Sequence, residues 1–547
     1  MRKYIFVSIS LLISLLFFIF FYLSYYGIKT NKFNNLINNQ LKNFNQNLSL
    51  KLGDVFLKLR LEDKSIKINT SDPIIFLEKN FIDLYEIEIN LDLIKFIKKE
   101  NSVKKIQITT KENSIKNITN FINSYKFNLQ QFIIFNQIEK GTAKIRANID
   151  FDQENINNYK LRASGEIKNA KLNIINKATI KNINFKFNIE DQNFVFENIN
   201  LKYENIDFES KETTIKKIEN VFKVKGDLNS KKSIVKPDFI LKLFNQNYNF
   251  FEQQDVLLET NNNFSFNVDA KKKVKDLIFK SNLTFDKIFL NKKYQELIFL
   301  KDGNIKTEYS NENLNINIDS DYSFLNENYN TQDDEKIIKL NIKKNKNENI
   351  KIESLIKNKK TKINSKEFTK YFQIDKRLFK DQDITFGSDN QINFNIDKNL
   401  KLKNLQIKSN INFEKLKIDY ISNRIKKRIP QYKNYIIFDS DNLELEYKKN
   451  KTKINMKGEY SLNDKFDRYE INIINQKYKY DFESIINIKK NSIIVDEIDY
   501  SKDLDSPSTI KLNGSYVKNK DITIENLIYS EKKNNILISK LKLSKDF

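Results

Sequence analysis

Ala143-Lys-Ile-Arg-Ala-Asn-Ile-Asp-Phe151 alternates apolar and polar side chains without a break. Successive residues of a β-strand point to opposite faces, so this stretch reads as a strand with one apolar and one wet face. The pattern recurs on both sides of it. Upstream, Val55, Leu57, Leu59 and Leu61 alternate with Phe56, Lys58, Arg60 and Glu62, and Ile87, Ile89 and Leu91 alternate with Glu88 and Asn90. Downstream come Ile183-Asn-Phe-Lys-Phe-Asn-Ile189, Leu314-Asn-Ile-Asn-Ile318 and Ile392-Asn-Phe-Asn-Ile396. Segments of about 5–10 residues recurring roughly every dozen residues are all-β spacing. The expected fold class is therefore all-β: a long, curled, mostly antiparallel sheet.

Four of the nine glycines share one frame: Leu161-Arg-Ala-Ser-Gly165, Phe222-Lys-Val-Lys-Gly226, Ile454-Asn-Met-Lys-Gly458 and Ile510-Lys-Leu-Asn-Gly514. Each glycine occupies an apolar-phase position inside a strand. That placement predicts a bulge, a bend or a close approach to the apolar face.

Composition removes much chemistry. The 547 residues contain no Cys, His or Trp. Thiol nucleophiles, a Ser-His-Asp triad, zinc fingers and histidine-held metals are thereby excluded. The scattered glycines form neither a P-loop nor a dinucleotide-binding turn. No enzyme activity and no cofactor are expected. Lys plus Arg total 95 against 71 for Asp plus Glu, a formal charge of +24. Nearly all of that positive charge is Lys, dispersed along the chain rather than gathered with Arg and stacking aromatics, so no nucleic-acid partner is expected. The densest basic cluster, Asn423-Arg-Ile-Lys-Lys-Arg-Ile-Pro430, reads as a short helix or loop. It is either a solvated face or a contact for anionic headgroups.

Residues 4–26 carry no charge, and about 20 apolar residues suffice to cross a ~30 Å hydrocarbon core. Tyr22, Tyr25 and Tyr26 supply an interfacial belt at its far end. The exit, Tyr26-Gly-Ile-Lys-Thr-Asn31, lacks the small-residue site of a cleaved signal, so an uncleaved anchor is expected. Arg2 and Lys3 place the N-terminus in the cytoplasm, with the bulk of the chain in a bacterial periplasm. Phe33, Leu36, Ile37, Leu41 and Phe44 then fall on one helical face. The expected organisation is a cytoplasmic stub and anchor over 1–30, an amphipathic helix and first part of the sheet over 31–240, and its continuation over 241–547. Polar loops around two weak strands are expected near 330–370.

With little helix to cover it, the apolar face of such a sheet must pack on another sheet, close into a barrel, or stay open. A terminal Phe547 hints at a barrel's last strand, but Lys545 breaks the alternation. An open face is a lipid-binding surface. The basic N-terminus, single helix and amphipathic helix, followed by Leu50-Lys-Leu-Gly-Asp-Val-Phe-Leu57 and Ile87-Glu-Ile-Asn-Leu-Asp-Leu-Ile-Lys-Phe96, resemble the opening of the AsmA-like family of TamB and YhdP type. The frame Tyr159-Lys-Leu-Arg-Ala-Ser-Gly-Glu-Ile-Lys-Asn-Ala170 and its echoes resemble that family's repeating strands.

The resemblance implies an inner-membrane-anchored β-groove that passes phospholipids between inner and outer membranes. Val55, Leu57, Leu59, Leu61, Ile87, Ile89 and Leu91 would line its entrance. At ~4.8 Å per strand, about 35 to 40 strands in one ladder would reach on the order of 170–190 Å. The strand pattern runs through Leu543, so a partner, such as an outer-membrane or envelope protein, or further chain is expected to complete the far end. The alternative is a structural or chaperone-like factor for outer-membrane protein assembly, with closed, packed sheets and no lipid. A glycan-binding surface protein is a third reading.

Overall fold

In a computed structural model the chain is 69% strand and 13% helix, with an N-terminal apolar helix and a long antiparallel sheet that is not closed. The structure describes residues 2–543 except 99, 101, 126–136, 153–157, 175–177, 237–254, 272, 290–297, 325–335, 373–377, 380–381 and 519–521. The side chains of Arg2, Lys3, Leu36 and Phe44, the acidic pair at 333–334, the expected boundary at 240–241, and Lys545 and Phe547 lie outside the described residues. The chain divides into two compact units, Met1–Val235 with Leu258–Lys280, and Lys236–Leu257 with Ser281–Phe547.

The N-terminal unit begins with α1 (Arg2–Tyr25), whose Phe6–Tyr25 span has a mean hydropathy of 2.6. Gly27 turns the chain at φ 70°, with the Phe56 ring 2.6 Å from where a Cβ would sit. The chain then enters the strand Ile28–Thr30, which pairs with Val55–Leu57. From there an antiparallel ladder runs through Val55–Arg60, Ser65–Ser71, Asn80–Asp92, Val103–Thr110, Ile138–Phe151, Tyr159–Ile174, Ala178–Glu190, Asn193–Tyr203, Ile206–Ile218 and Val221–Val235. Three helices attach to it: α2 (Asn34–Phe44), α3 (Leu93–Ile97) and α4 (Ile115–Tyr125).

The C-terminal unit repeats the plan. Its ladder runs from Ile298–Ser310 through successive antiparallel neighbours to Asn534–Leu543. Within 330–370 the described residues form two fully registered strands, Lys336–Lys344 and Ile350–Asn364, joined by a short turn. The helix α5 (Ser365–Phe372) follows them. The basic cluster forms α6 (Asn423–Arg428), whose first turn is capped by the Ser422 hydroxyl accepting from Ile425 N at 3.3 Å.

In each unit α2 and α4, or α5 and α6, lie at one end of the strands, and at the other end described connections such as residues 191–192, 219–220, 449–450 and 477–478 are two-residue turns. Ile37 and Leu41 of α2 pack over Leu50, Leu84 and Ile87. The Asn38 amide clamps that contact, donating to Leu50 O and accepting from Leu50 N at 2.7 and 2.8 Å. Ile115 and Ile118 of α4 pack on Ala143 and Ala170, small residues that let the helix approach the sheet. In the second unit Phe368 of α5 packs against Ile363, Ile384 and Phe386, with its ring T-shaped to Phe379, Phe386 and Phe413. Ile425, Ile429 and Tyr432 pack on Tyr460, Leu462 and Tyr469.

The repeated glycines are close approaches. A Cβ on Gly165 would stand 2.3 Å from Lys144 O and 2.8 Å from the Phe187 ring, and one on Gly514 2.4 Å from Thr523 O and 2.9 Å from the Phe482 ring. Phe264 takes the same place against Gly226 at 2.9 Å. The tip of an aromatic ring thus occupies the space that a side chain on each of these three glycines would take. Register shifts also fall at non-glycine residues in the left-handed region, such as Asn169, Asn182 and Ser440, while among the repeated glycines Gly514 itself borders one.

Candidate functional site

Directly opposed residues of neighbouring strands share a face, so the registers give the composition of each face. In the N-terminal unit one row runs Val55, Thr70, Ile87, Ile108, Ala147, Ala163, Ile189, Phe194, Ile215 and Val224. The row on the reverse face runs Phe56, Asn69, Glu88, Gln107, Asn148, Arg162, Glu190, Asn193, Lys216 and Lys223. One residue step separates an almost wholly apolar row from an almost wholly polar one.

The C-terminal unit shows the same division. Leu445, Ile454, Ile473, Phe482, Gly514, Ile524 and Leu541 form one apolar row. Its reverse face carries Lys306, Asn317, Asn341, Glu353, Asn393, Gln406, Lys448, Lys451, Gln476 and Lys479. Much of the positive charge sits on such polar rows, in exposed cross-strand pairs such as Lys408–Glu446 at 3.3 Å and Lys339–Asp319 at 3.1 Å. A shallow hollow of about 710 Å³ lies on the polar face among Lys408, Glu444, Glu446, Lys453 and Glu483. Its lining also includes Leu445, Ile454, Ile473 and Ile474, so charged walls alternate with apolar surface.

The apolar face is covered only in part. Leu445, Ile454, Ile473 and Phe482 are half-buried, as are Ile108, Ile189, Phe194 and Ile215 in the first unit. A face packed beneath a second sheet would be buried throughout. Among the described residues, the covering pieces are the small helices and connections at the strand ends. Polar residues interrupt the face of the C-terminal unit, among them Ser354, Ser388, Asn390 and Ser409, and their hydrogen bonds go to one another or to strand carbonyls. Ser354 Oγ donates to Ile392 O at 3.2 Å, Asn390 Nδ2 to Ile356 O at 3.3 Å and to Ser388 Oγ at 3.0 Å, and Ser409 Oγ to Asn390 Oδ1.

Six of the seven residues expected to line an entrance share this face: Leu57, Ile68 and Ile89 are in register, as are Leu59, Ile66 and Leu91, and as are Val55, Thr70 and Ile87. Val55, Leu59, Ile87 and Leu91 are buried, while Leu57 and Ile89 are half-buried. Ile87 lies under α2, and the cluster of Leu59, Ile66 and Leu91 receives Leu23 from the foot of α1. These first strands are thus capped more heavily than the later ones. Leu61 is the exception. The strand ends at Arg60, the turn through Lys64 (φ 47°) reverses the chain, and Leu61 stands 47% exposed rather than completing the alternation.

One ionisable group on the apolar face was not evident from sequence. Asp441 sits cross-strand from Phe413 at the bulge beside Ser440 and accepts from the Tyr469 hydroxyl at 3.0 Å. Gly458 makes the room, since a Cβ there would be 1.7 Å from Asp441 Oδ1. Burial, with Asp439 and Glu459 nearby, pushes the Asp441 carboxyl up to about 7 against the opposing Tyr469 bond. Burial also raises Tyr460 and Tyr469. The signal available in sequence was an Asp in apolar phase, two residues before Leu443. Beyond it, Lys502 is buried with Nζ donating to the carbonyls of Asn491 at 2.7 Å and Asp503 at 2.9 Å, which ties a connection in place. Among the described residues there is no cluster of three or more carboxylates that could hold a metal.

Compared with known protein families, curated proteins and solved structures, the chain matches none.

Proposed function

We propose that the chain is a membrane-anchored protein of the bacterial envelope whose partly covered apolar sheet face carries phospholipid acyl chains between inner and outer membranes, without catalysis, in the manner of the AsmA-like family. The observation that carries this reading is the almost wholly apolar row beside an almost wholly polar one, left half-buried at positions such as Ile108, Ile189, Phe194 and Ile215. Each methylene moved from water onto such a face gains roughly 0.8 kcal/mol, so an acyl chain is a fitting occupant while its headgroup stays in solvent. The hydrogen-bonded Ser354, Asn390 and Ser409 leave the face without an unmet polar group at those positions, which suits a sliding apolar ligand.

The anchor reading draws support from the foot of α1. Leu23 packs with Leu59, Ile66 and Leu91, and Ile28–Thr30 pairs with the next strand, so the helix continues into the folded unit. In this reading the N-terminus is cytoplasmic, the two units are periplasmic, and envelope proteins meet the far end.

The test is to purify the full chain, exchange it into lipid-free polymer or detergent, and extract it for mass spectrometry beside an unrelated single-span protein treated alike. Several phospholipids retained per chain, above the control, support the reading. A chain that carries no more lipid than the control and remains folded overturns it and favours the assembly-factor alternative.

A further inference from the structure

At the foot of α1 the apolar face meets a set of side chains that point away from it. The helix α3 is only five residues long, yet it is firmly held. Asp92 caps it, accepting from Ile94 N at 2.9 Å and Lys95 N at 3.0 Å, and Lys104 pairs with the same carboxylate at 3.0 Å. Those bonds hold the Asp92 carboxyl below its usual range. Leu93 N donates to Lys64 O at 2.9 Å, which ties α3 to the turn that follows Arg60. From this fixed base Ile94, Phe96 and Ile97 stand 48%, 52% and 66% exposed, beside Leu61 at 47%.

A short, well-capped helix normally turns such residues inward. Here only Leu93 goes inward, and it joins the cluster of Leu59, Ile66 and Leu91 that also receives Leu23. Leu23 lies in the last turn of the apolar helix, among Tyr22, Tyr25 and Tyr26, the residues of an interfacial belt. The level of α3 is therefore the level at which α1 leaves the bilayer.

We infer that Leu61, Ile94, Phe96 and Ile97 form a membrane-docking collar that lies in the interfacial region of the same bilayer that α1 spans. Apolar side chains on an interfacial element settle about 5–10 Å into the headgroup–acyl boundary. The charges around them are mixed, with Lys64 and Lys98 exposed beside Glu62 and Asp63. The contact is accordingly apolar and does not need anionic lipid. It holds the first apolar strands against the membrane surface. The collar rests on the reading of α1 as an anchor and is independent of lipid transfer.

The chain has no cysteine, so single cysteines can report each position. Leu61, Phe96 and Ile97 are replaced one at a time by Cys in the full chain, with Leu15 and the distant exposed Ile218 as references. Each variant is labelled with an environment-sensitive fluorophore and reconstituted in phosphatidylcholine vesicles. The collar predicts blue-shifted emission at 61, 96 and 97, quenching there by lipids spin-labelled near the headgroup, and several-fold lower iodide quenching than at 218. Labels at 61, 96 and 97 as open to iodide as at 218, with Leu15 quenched by lipid, overturn the collar and leave the anchor standing. A label at 15 that lipid does not quench overturns both.

Discussion

Ile384 and Ile454 are the same residue type on the same kind of face, in two different settings. Ile384 is 0% exposed, closed in with Ile363, Phe368 and Phe386 where α5 caps the strand end. Ile454 is half-buried between Leu445 and Ile473, with polar residues on the reverse of its strand. The difference teaches that full burial at a capped end and a half-open apolar face occur on the same kind of strand. Capped ends bury side chains fully, and burial of a large apolar side chain contributes about 1.5–3 kcal/mol. Strand middles such as that around Ile454 bury less and leave apolar surface partly open.

The largest expected effect breaks the capped end. Phe368→Ala removes the ring that meets Phe379, Phe386 and Phe413, and should cost about 3–5 kcal/mol in urea unfolding. A loss no larger than that of a half-buried truncation such as Ile473→Ala would remove the distinction between the two settings. Next is Gly165→Ala, whose methyl would meet Lys144 O and the Phe187 ring. Forcing those apart should cost about 1–3 kcal/mol, seen as a lowered unfolding midpoint. Equal stability would mean that the ring does not lie over that glycine.

The most conditional effect concerns Asp441. Its folded-state carboxyl titrates near 7 against an ordinary value of 3.8. Between those two values the folded chain holds a proton that the unfolded chain has lost, so stability falls as pH rises through that window and levels off above it. Asp441→Asn keeps an acceptor for Tyr469 and removes the titration. The variant should match the parent near pH 4 and exceed it at pH 8, read from midpoints at several pH values. A parent and variant that run parallel across the window would contradict a buried, proton-holding Asp441.

The alternation made the fold class and the face legible, because period-two patterning depends only on which side chains meet water. It did so for Ala143–Phe151 and for Ile392–Ile396 alike. It did not show where a strand stops: Leu61 keeps the alternation in sequence, yet the turn at Lys64 takes it out of the sheet. The glycines marked close approach, but the rings that fill them, Phe187 and Phe482, come from neighbouring strands and depend on register. Asp441 was missed because its setting depends on Gly458 and Tyr469, which lie on two other strands. The capping of Leu59 and Leu91 by α1 and of Ile87 by α2 was equally out of reach, since packing partners are not encoded in spacing. For that reason a polar replacement at Leu59 would test the core more than the face, and the face is better tested where it is uncovered.

The most direct test places a photo-reactive benzoylphenylalanine at Ile454 or Ile473 on the apolar face, and at Lys453 or Asn472 on the polar face of the same strands. Each variant is irradiated in intact cells and the purified chain is examined for attached phospholipid. The account predicts lipid adducts at 454 and 473 and none above background at 453 and 472. Adducts at both faces alike, or at neither with the protein folded and membrane-bound, would contradict it.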